Sequence, residues 1–153
     1  MKRFLKGFVY AARGIALCVY ERNFRFHICA ASFVLFFAGC FYELSRAEWA
    51  ALFIVIGMVL SMEALNTALE HLSDRVTKEN DELIRRCKDC AAGAVLVSAA
   101  AAVAGGISVL WDAERISAIW DFYCTDVWRA VALLAAVAGA VMFVLLPERF
   151  KKK

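Results

Sequence analysis

Proline is almost absent, with Pro147 alone among 153 residues. No Gly-, Ser- or Pro-rich stretch divides the chain and no internal repeat recurs, so a string of domains on flexible linkers is excluded. There is no G-x-x-x-x-G-K-[ST] loop, no Gly-rich turn after a strand, and no H-R-D or D-F-G string. The two common nucleotide-handling folds are therefore excluded as well. Excess charge is scarce too: a net +3 is too small to suggest nucleic acid as a partner. The six cysteines include one C-x-x-C, Cys87-Lys-Asp-Cys90, with no second pair and no nearby His. That is weak ground for zinc, and the cysteines read as small packing residues.

Apolar residues are what the chain has: 63% of it is hydrophobic and the mean hydropathy is +0.63. They fall in four runs nearly free of charge, Phe26–Tyr42, Trp49–Leu69, Cys90–Trp111 and Ala130–Leu146. Each is close to the roughly 20 residues a spanning helix needs. The fold class is thus all-α integral membrane, with spans at about 26–42, 49–70 and 90–111 and a fourth at 128–146. If the four alternate, fifteen of the eighteen Lys and Arg lie on one side, with only Arg46, Arg115 and Arg129 opposite. The positive-inside rule then puts both termini and the loop between the second and third spans in the cytoplasm. Trp49, Trp111, Trp120 and Trp128 all fall at the other boundary, as an interfacial aromatic belt does.

Residues 1–20 are too interrupted by charge to be a cleavable signal. On a helical wheel Phe4, Leu5, Phe8, Ala12, Ile15 and Val19 share one arc opposite Lys2, Lys6 and Arg13. This predicts an amphipathic helix lying on the membrane surface. Residues 112–126, with Asp112, Glu114, Asp121 and Asp126, read as an acidic outward loop before the fourth span.

The second span carries the costly residues. Glu63, Asn66, Thr67, Glu70 and Asp74 are spaced i, i+3, i+4, i+7, i+11, and so share one helix face. A carboxylate well inside a span costs on the order of 2.5–3.5 kcal/mol even on the lenient insertion scale. A purely packing role is the competing reading: Glu70 and Asp74 would then already reach water at the cytoplasmic end, and a neighbouring helix would satisfy Asn66. Glu63, between Met62 and Ala64, has no such relief. Glu21 stands at the entrance to the first span at the same depth. Lys88-Asp89 is expected to open the third span, where a cation is unfavourable unless an anion such as phosphate joins it at the helix N-terminus.

One membrane face therefore gathers carboxylates, an amide, a lysine and a helix start. Carboxylates that hold Mg²⁺, a partly desolvated carboxylate as general base and a phosphate cradle together suit phosphoryl transfer to an acceptor in the membrane. Intramembrane carboxylates also mark ion paths, so a small transporter is the competing class.

Glu63-Ala-Leu-Asn66-Thr-Ala-Leu-Glu70, Asp74-Arg-Val and Lys88-Asp89-Cys-Ala-Ala-Gly93-Ala-Val-Leu together resemble the prokaryotic diacylglycerol kinase family over residues 1–111. Phe8-Val-Tyr10-Ala-Ala-Arg13-Gly14-Ile15 and Glu21-Arg22-Asn23-Phe-Arg25-Phe-His27 are similar to its Gram-positive branch, which acts chiefly on undecaprenol. The resemblance implies a bacterial cell-membrane lipid kinase, homotrimeric with shared active sites, that uses ATP and Mg²⁺. It implies Glu63 as general base and Glu21 and Glu70 as Mg²⁺ ligands. Asn66, Lys88 and Asp89 would contact nucleotide or orient the base, with Arg3, Tyr10, Glu79, Asn80 and Asp81 along the ATP. On one continuous helix Arg3, Tyr10 and Glu21 would project in nearly one direction. The fourth span has no counterpart in the family core, so residues 112–153 form an addition to it.

Overall fold

The computed structural model describes residues 2–76 and 81–148, the side chains of residues 2 and 3 excepted. It is helical throughout: α1 (Lys2–Cys18), α2 (Arg22–Phe41), α3 (Arg46–Val76), α4 (Glu82–Leu110), α5 (Ala113–Cys124) and α6 (Val127–Leu145). Four of these, α2, α3, α4 and α6, are long and apolar enough to cross a membrane. Little of their surface is buried within the chain, and α6 contributes no buried residue at all. Side chains such as Phe36, Ile54, Leu96 and Leu134 face outward, as a hydrocarbon solvent permits.

The core lies along α3 and α4, which share the most extensive interface, with α2 on α3 and α6 on the far side of α2. Leu52 and Val59 of α3 and Phe24 and Ala38 of α2 are among the buried apolar residues. At the tryptophan end the Tyr42 hydroxyl, just past α2, donates to the Leu110 carbonyl at the end of α4 (2.8 Å). This satisfies one of the carbonyls a helix terminus leaves open.

α3 has 31 residues and α4 has 29. At 1.5 Å per residue they run to about 46 and 43 Å, well beyond a hydrocarbon core of about 30 Å. Their extra turns project together at the charged end, a stem carrying Glu70, Asp74, Arg85 and Lys88. Three expectations change here. α4 starts at Glu82, not beside Lys88: Asp81 is its N-cap, accepting from the backbone N–H of Leu83 (2.8 Å) and Ile84 (3.2 Å). α1 ends at Cys18, and a turn separates it from α2, so Glu21 does not continue the line of Tyr10 along one helix. The acidic loop is in fact largely helix α5, started by Asp112, whose side chain accepts from the backbone N–H of Glu114 (2.9 Å) and Arg115 (3.1 Å).

α1 keeps its apolar arc uncovered, with Phe4, Leu5, Phe8 and Ile15 exposed and Phe4 edge-on to Phe8 at 5.1 Å. That is the face a membrane surface accepts.

Candidate active site

Glu63 is 3% exposed, with Asn66 and Thr67 at 6% and 8% on the same face of α3. They are the buried polar residues of that helix, and they point toward the start of α2 and the turn before it. The Glu63 carboxylate faces His27 and Asn23 of α2, Glu70 of its own helix, and Glu21 in the turn. The Asn66 amide donates from Nδ2 to Glu70 Oε1 (3.0 Å), while its Oδ1 is buried with no partner among the described residues. A buried acceptor left open costs about 1–3 kcal/mol, so a cation or donor is wanted beside it.

Glu21 occupies the N-cap position of α2 but does not cap it. Its carboxylate instead reaches across to His71 of α3, with Oε1 3.2 Å from Nε2. Cys18 is buried next to this pair, and burial, followed by the charge of Glu21, pushes its thiol up from the usual range. Its sulfur is therefore a packing atom against the site rather than a nucleophile.

Below this cluster, on the stem, Lys88 Nζ lies 2.6 Å from Asp74 Oδ1 and ties α4 to α3. Since Lys88 is in the second turn of α4, its backbone N–H belongs to the helix; only its ammonium is available to an anion. Asp89 turns to Arg85 (3.2 Å), which also pairs with Glu82 (2.8 Å). Asp81 is engaged as the cap, and Tyr10 is exposed on α1. The Arg3 side chain, Glu79 and Asn80 lie outside the described residues. Of the residues picked from the sequence, then, Glu21, Glu63, Asn66 and Glu70 come together, Lys88 sits beside Asp74 further out, and Asp89 faces its own helix.

Asn23, His27 and His71 are additions from the fold. His71 neighbours Glu70 and lies eight positions after Glu63, close to the polar stripe. Asn23 and His27, one turn apart, mark a polar face on an apolar helix. That i, i+4 spacing was the available signal.

An apolar groove of about 530 Å³ runs between α2, α3 and α4 from His27 toward Trp111, lined by Phe26, Val34, Leu52, Val59 and Gly106 among others. His27 is common to this groove and to the surroundings of the Glu63 carboxylate. Among the described residues no three His, Cys, Asp or Glu side chains converge as a protein-only metal site.

The family model for prokaryotic diacylglycerol kinase matches residues 9–110. The chain belongs to the prokaryotic diacylglycerol kinase family. Within the family it is 48% identical over 100 residues to an undecaprenol kinase of Bacillus subtilis, covering 65% of this chain and 80% of that protein. It is 39% identical over 104 residues to a diacylglycerol kinase of Synechocystis, covering 67% and 59%. With a diacylglycerol kinase of Escherichia coli it shares 30% over 111 residues, covering 72% and 90%. No solved structure matches the chain significantly. Membership makes it a membrane lipid kinase with ATP as the phosphate donor. The match ends at Leu110, so α5 and α6 lie outside the matched residues.

Proposed function

We propose that this kinase transfers the γ-phosphate of ATP to undecaprenol at the cytoplasmic face of a bacterial cell membrane, as a multi-pass homotrimer with both termini in the cytoplasm. The observation that carries the site assignment is Glu63, a carboxylate 3% exposed and faced by His27, which itself lines an apolar groove. The lipid hydroxyl enters from the groove. Glu63 takes its proton as the oxygen bonds to the γ-phosphorus, and the bond from that phosphorus to the β-phosphate oxygen breaks, leaving ADP. Asn23 and His27 face the same carboxylate and hold its orientation.

The residues present fit Mg²⁺. Glu21 and Glu70 offer two carboxylates and Asn66 an orphaned amide oxygen beside Glu70. That is a sparse set of hard oxygen donors, which suits an ion that takes one or two protein carboxylates and shares the rest of its shell with phosphates and water. When bound, Mg²⁺ neutralises phosphate charge. Lys88 extends that role to the nucleotide from the stem, with Asp89 nearby, and Arg3, Tyr10 and the segment Glu79–Asp81 flank the ATP. Residues 1–111 form the catalytic core and 112–153 an addition.

Undecaprenol is favoured by the 48% identity to a protein named for it; the relatives at 39% and 30% are named diacylglycerol kinases, which makes diacylglycerol the second reading. Purified protein given each lipid with labelled ATP, with and without Mg²⁺, separates them. Preferential, Mg²⁺-dependent labelling of undecaprenol is expected. Equal or greater labelling of diacylglycerol overturns the undecaprenol reading.

A further inference from the structure

Arg25 is absorbed by none of the chemistry above, yet it is one of the most buried charged residues among those described, at 2% exposure. Its Nη2 donates to the carbonyls of Val144 (3.1 Å) and Leu146 at the end of α6, and its guanidinium lies 5.8 Å from the Phe143 ring centroid. The backbone N–H of Arg22, the first residue of α2, donates to Glu148 Oε1 (3.3 Å). One turn further on, Cys29 Sγ lies 4.0 Å from the Ala140 carbonyl. These contacts have a physical logic. The last carbonyls of α6 have no partner within their own helix, and its C-terminal end attracts a cation. A guanidinium at the membrane boundary needs such acceptors to be tolerable. The start of α2 and the end of α6 therefore hold each other.

What α2 carries at that point matters. The Arg25 backbone N–H donates to the Glu21 carbonyl (3.1 Å), so both residues belong to the same first turn. Any tilt of that turn moves the Glu21 carboxylate relative to Glu63, Asn66 and Glu70 on α3. We propose that α6 is a brace seating the first turn of α2, with Arg25 as its latch, and that it positions Glu21 for the metal. The idea rests on the assignment of Glu21 made above. It gives the addition beyond the family core a function: Arg25 is a positioning residue that touches no reactant.

The test uses the full chain in lipid nanodiscs, with Mn²⁺ as a probe titrated by electron paramagnetic resonance, and hydrogen exchange followed at residues 22–27. Arg25→Gln removes the latch. Ala140→Leu wedges α6 from α2 while leaving Arg25 and the core untouched. Both are expected to speed exchange in the first turn of α2 and to weaken Mn²⁺ binding about 10-fold, as loss of support behind a ligand usually does. Under saturating metal kcat should stay near that of the unmodified enzyme, and Arg25→Lys should restore most of the affinity. If Arg25→Gln fails to insert, Phe143→Leu loosens the same seat and is read in the same way. Faster exchange with unchanged Mn²⁺ affinity overturns the proposal, leaving α6 only structural. Glu21→Gln runs in parallel: if it binds Mn²⁺ normally, the assignment of Glu21 fails and the positioning role with it.

Discussion

Glu63 and Asn66 are the residues whose burial has no structural motive. A chain that needed only to span a membrane would place leucine at both, gaining apolar contact and avoiding the desolvation of a carboxylate. Asn66 makes this testable. Its Nδ2 is satisfied by Glu70, but its Oδ1 is buried with no partner among the described residues. Asn66→Leu removes the orphan acceptor and leaves Glu70 at an exposed position where water replaces the lost bond. Thermal unfolding in detergent should therefore be unchanged or shift upward, by no more than about 1–2 kcal/mol, while the Mg²⁺ concentration required for activity rises. A large loss of stability with normal Mg²⁺ dependence would make Asn66 a structural residue. The stripe itself was legible in the sequence, because i, i+3, i+4, i+7 spacing puts side chains on one face wherever the helix sits. Of its partners, Asn23 and His27 left only an i, i+4 polar spacing on α2, and that this face meets α3 is a tertiary fact.

Among the elements, helix ends were the least legible. Runs of apolar residues mark the hydrocarbon part of a helix, but backbone hydrogen bonding continues into water where propensity and capping allow. Glu82-Leu-Ile-Arg-Arg-Cys87 has strong helix formers and an i, i+3/i+4 network joining Glu82 to Arg85 and Arg86, so α4 begins two turns before the apolar run. Lys88 thereby moves from a helix start to the flank of a stem, opposite Asp74. α5 was hidden for a related reason: its acidic residues suggested a loop, yet Asp112 is a cap and Ile116, Trp120 and Tyr123 repeat at helical spacing. The Lys88–Asp74 pair is short, at 2.6 Å, but Asp74 is 68% exposed. Such a pair contributes at most about 1 kcal/mol. A double-mutant cycle on Lys88→Met and Asp74→Asn, followed by thermal unfolding, should give a coupling within that bound, while Lys88→Met raises the KM for ATP severalfold and Asp74→Asn does so far less. Equal effects on KM would mean that the ion pair, not the ammonium, matters to the nucleotide.

For the whole molecule, charge asymmetry and the tryptophan end agree on one arrangement, and both are legible in the amino-acid sequence alone. The tryptophan end holds the close of α2 and α4 and the start of α3 and α6; the opposite end holds the polar cluster and, beyond it, the stem. Exposed native cysteines report on this directly, with Cys87 and Cys90 on the stem and Cys124 at the end of α5. In single-cysteine forms, a membrane-impermeant maleimide should label Cys124 in intact cells, and Cys87 or Cys90 only after the membrane is opened. The reverse pattern would invert the protein and remove the site from cytoplasmic ATP.

The measurement closest to the centre of the account is phosphate transfer from labelled ATP to undecaprenol in proteoliposomes by Glu63→Gln. The substitution keeps the size and polarity of the side chain and lowers the desolvation cost at a buried position, so insertion and unfolding temperature should be at least those of the unmodified protein. Transfer should fall by about 10²–10⁴, the usual contribution of a positioned general base. A correctly inserted Glu63→Gln protein that phosphorylates the lipid at an undiminished rate would contradict the account.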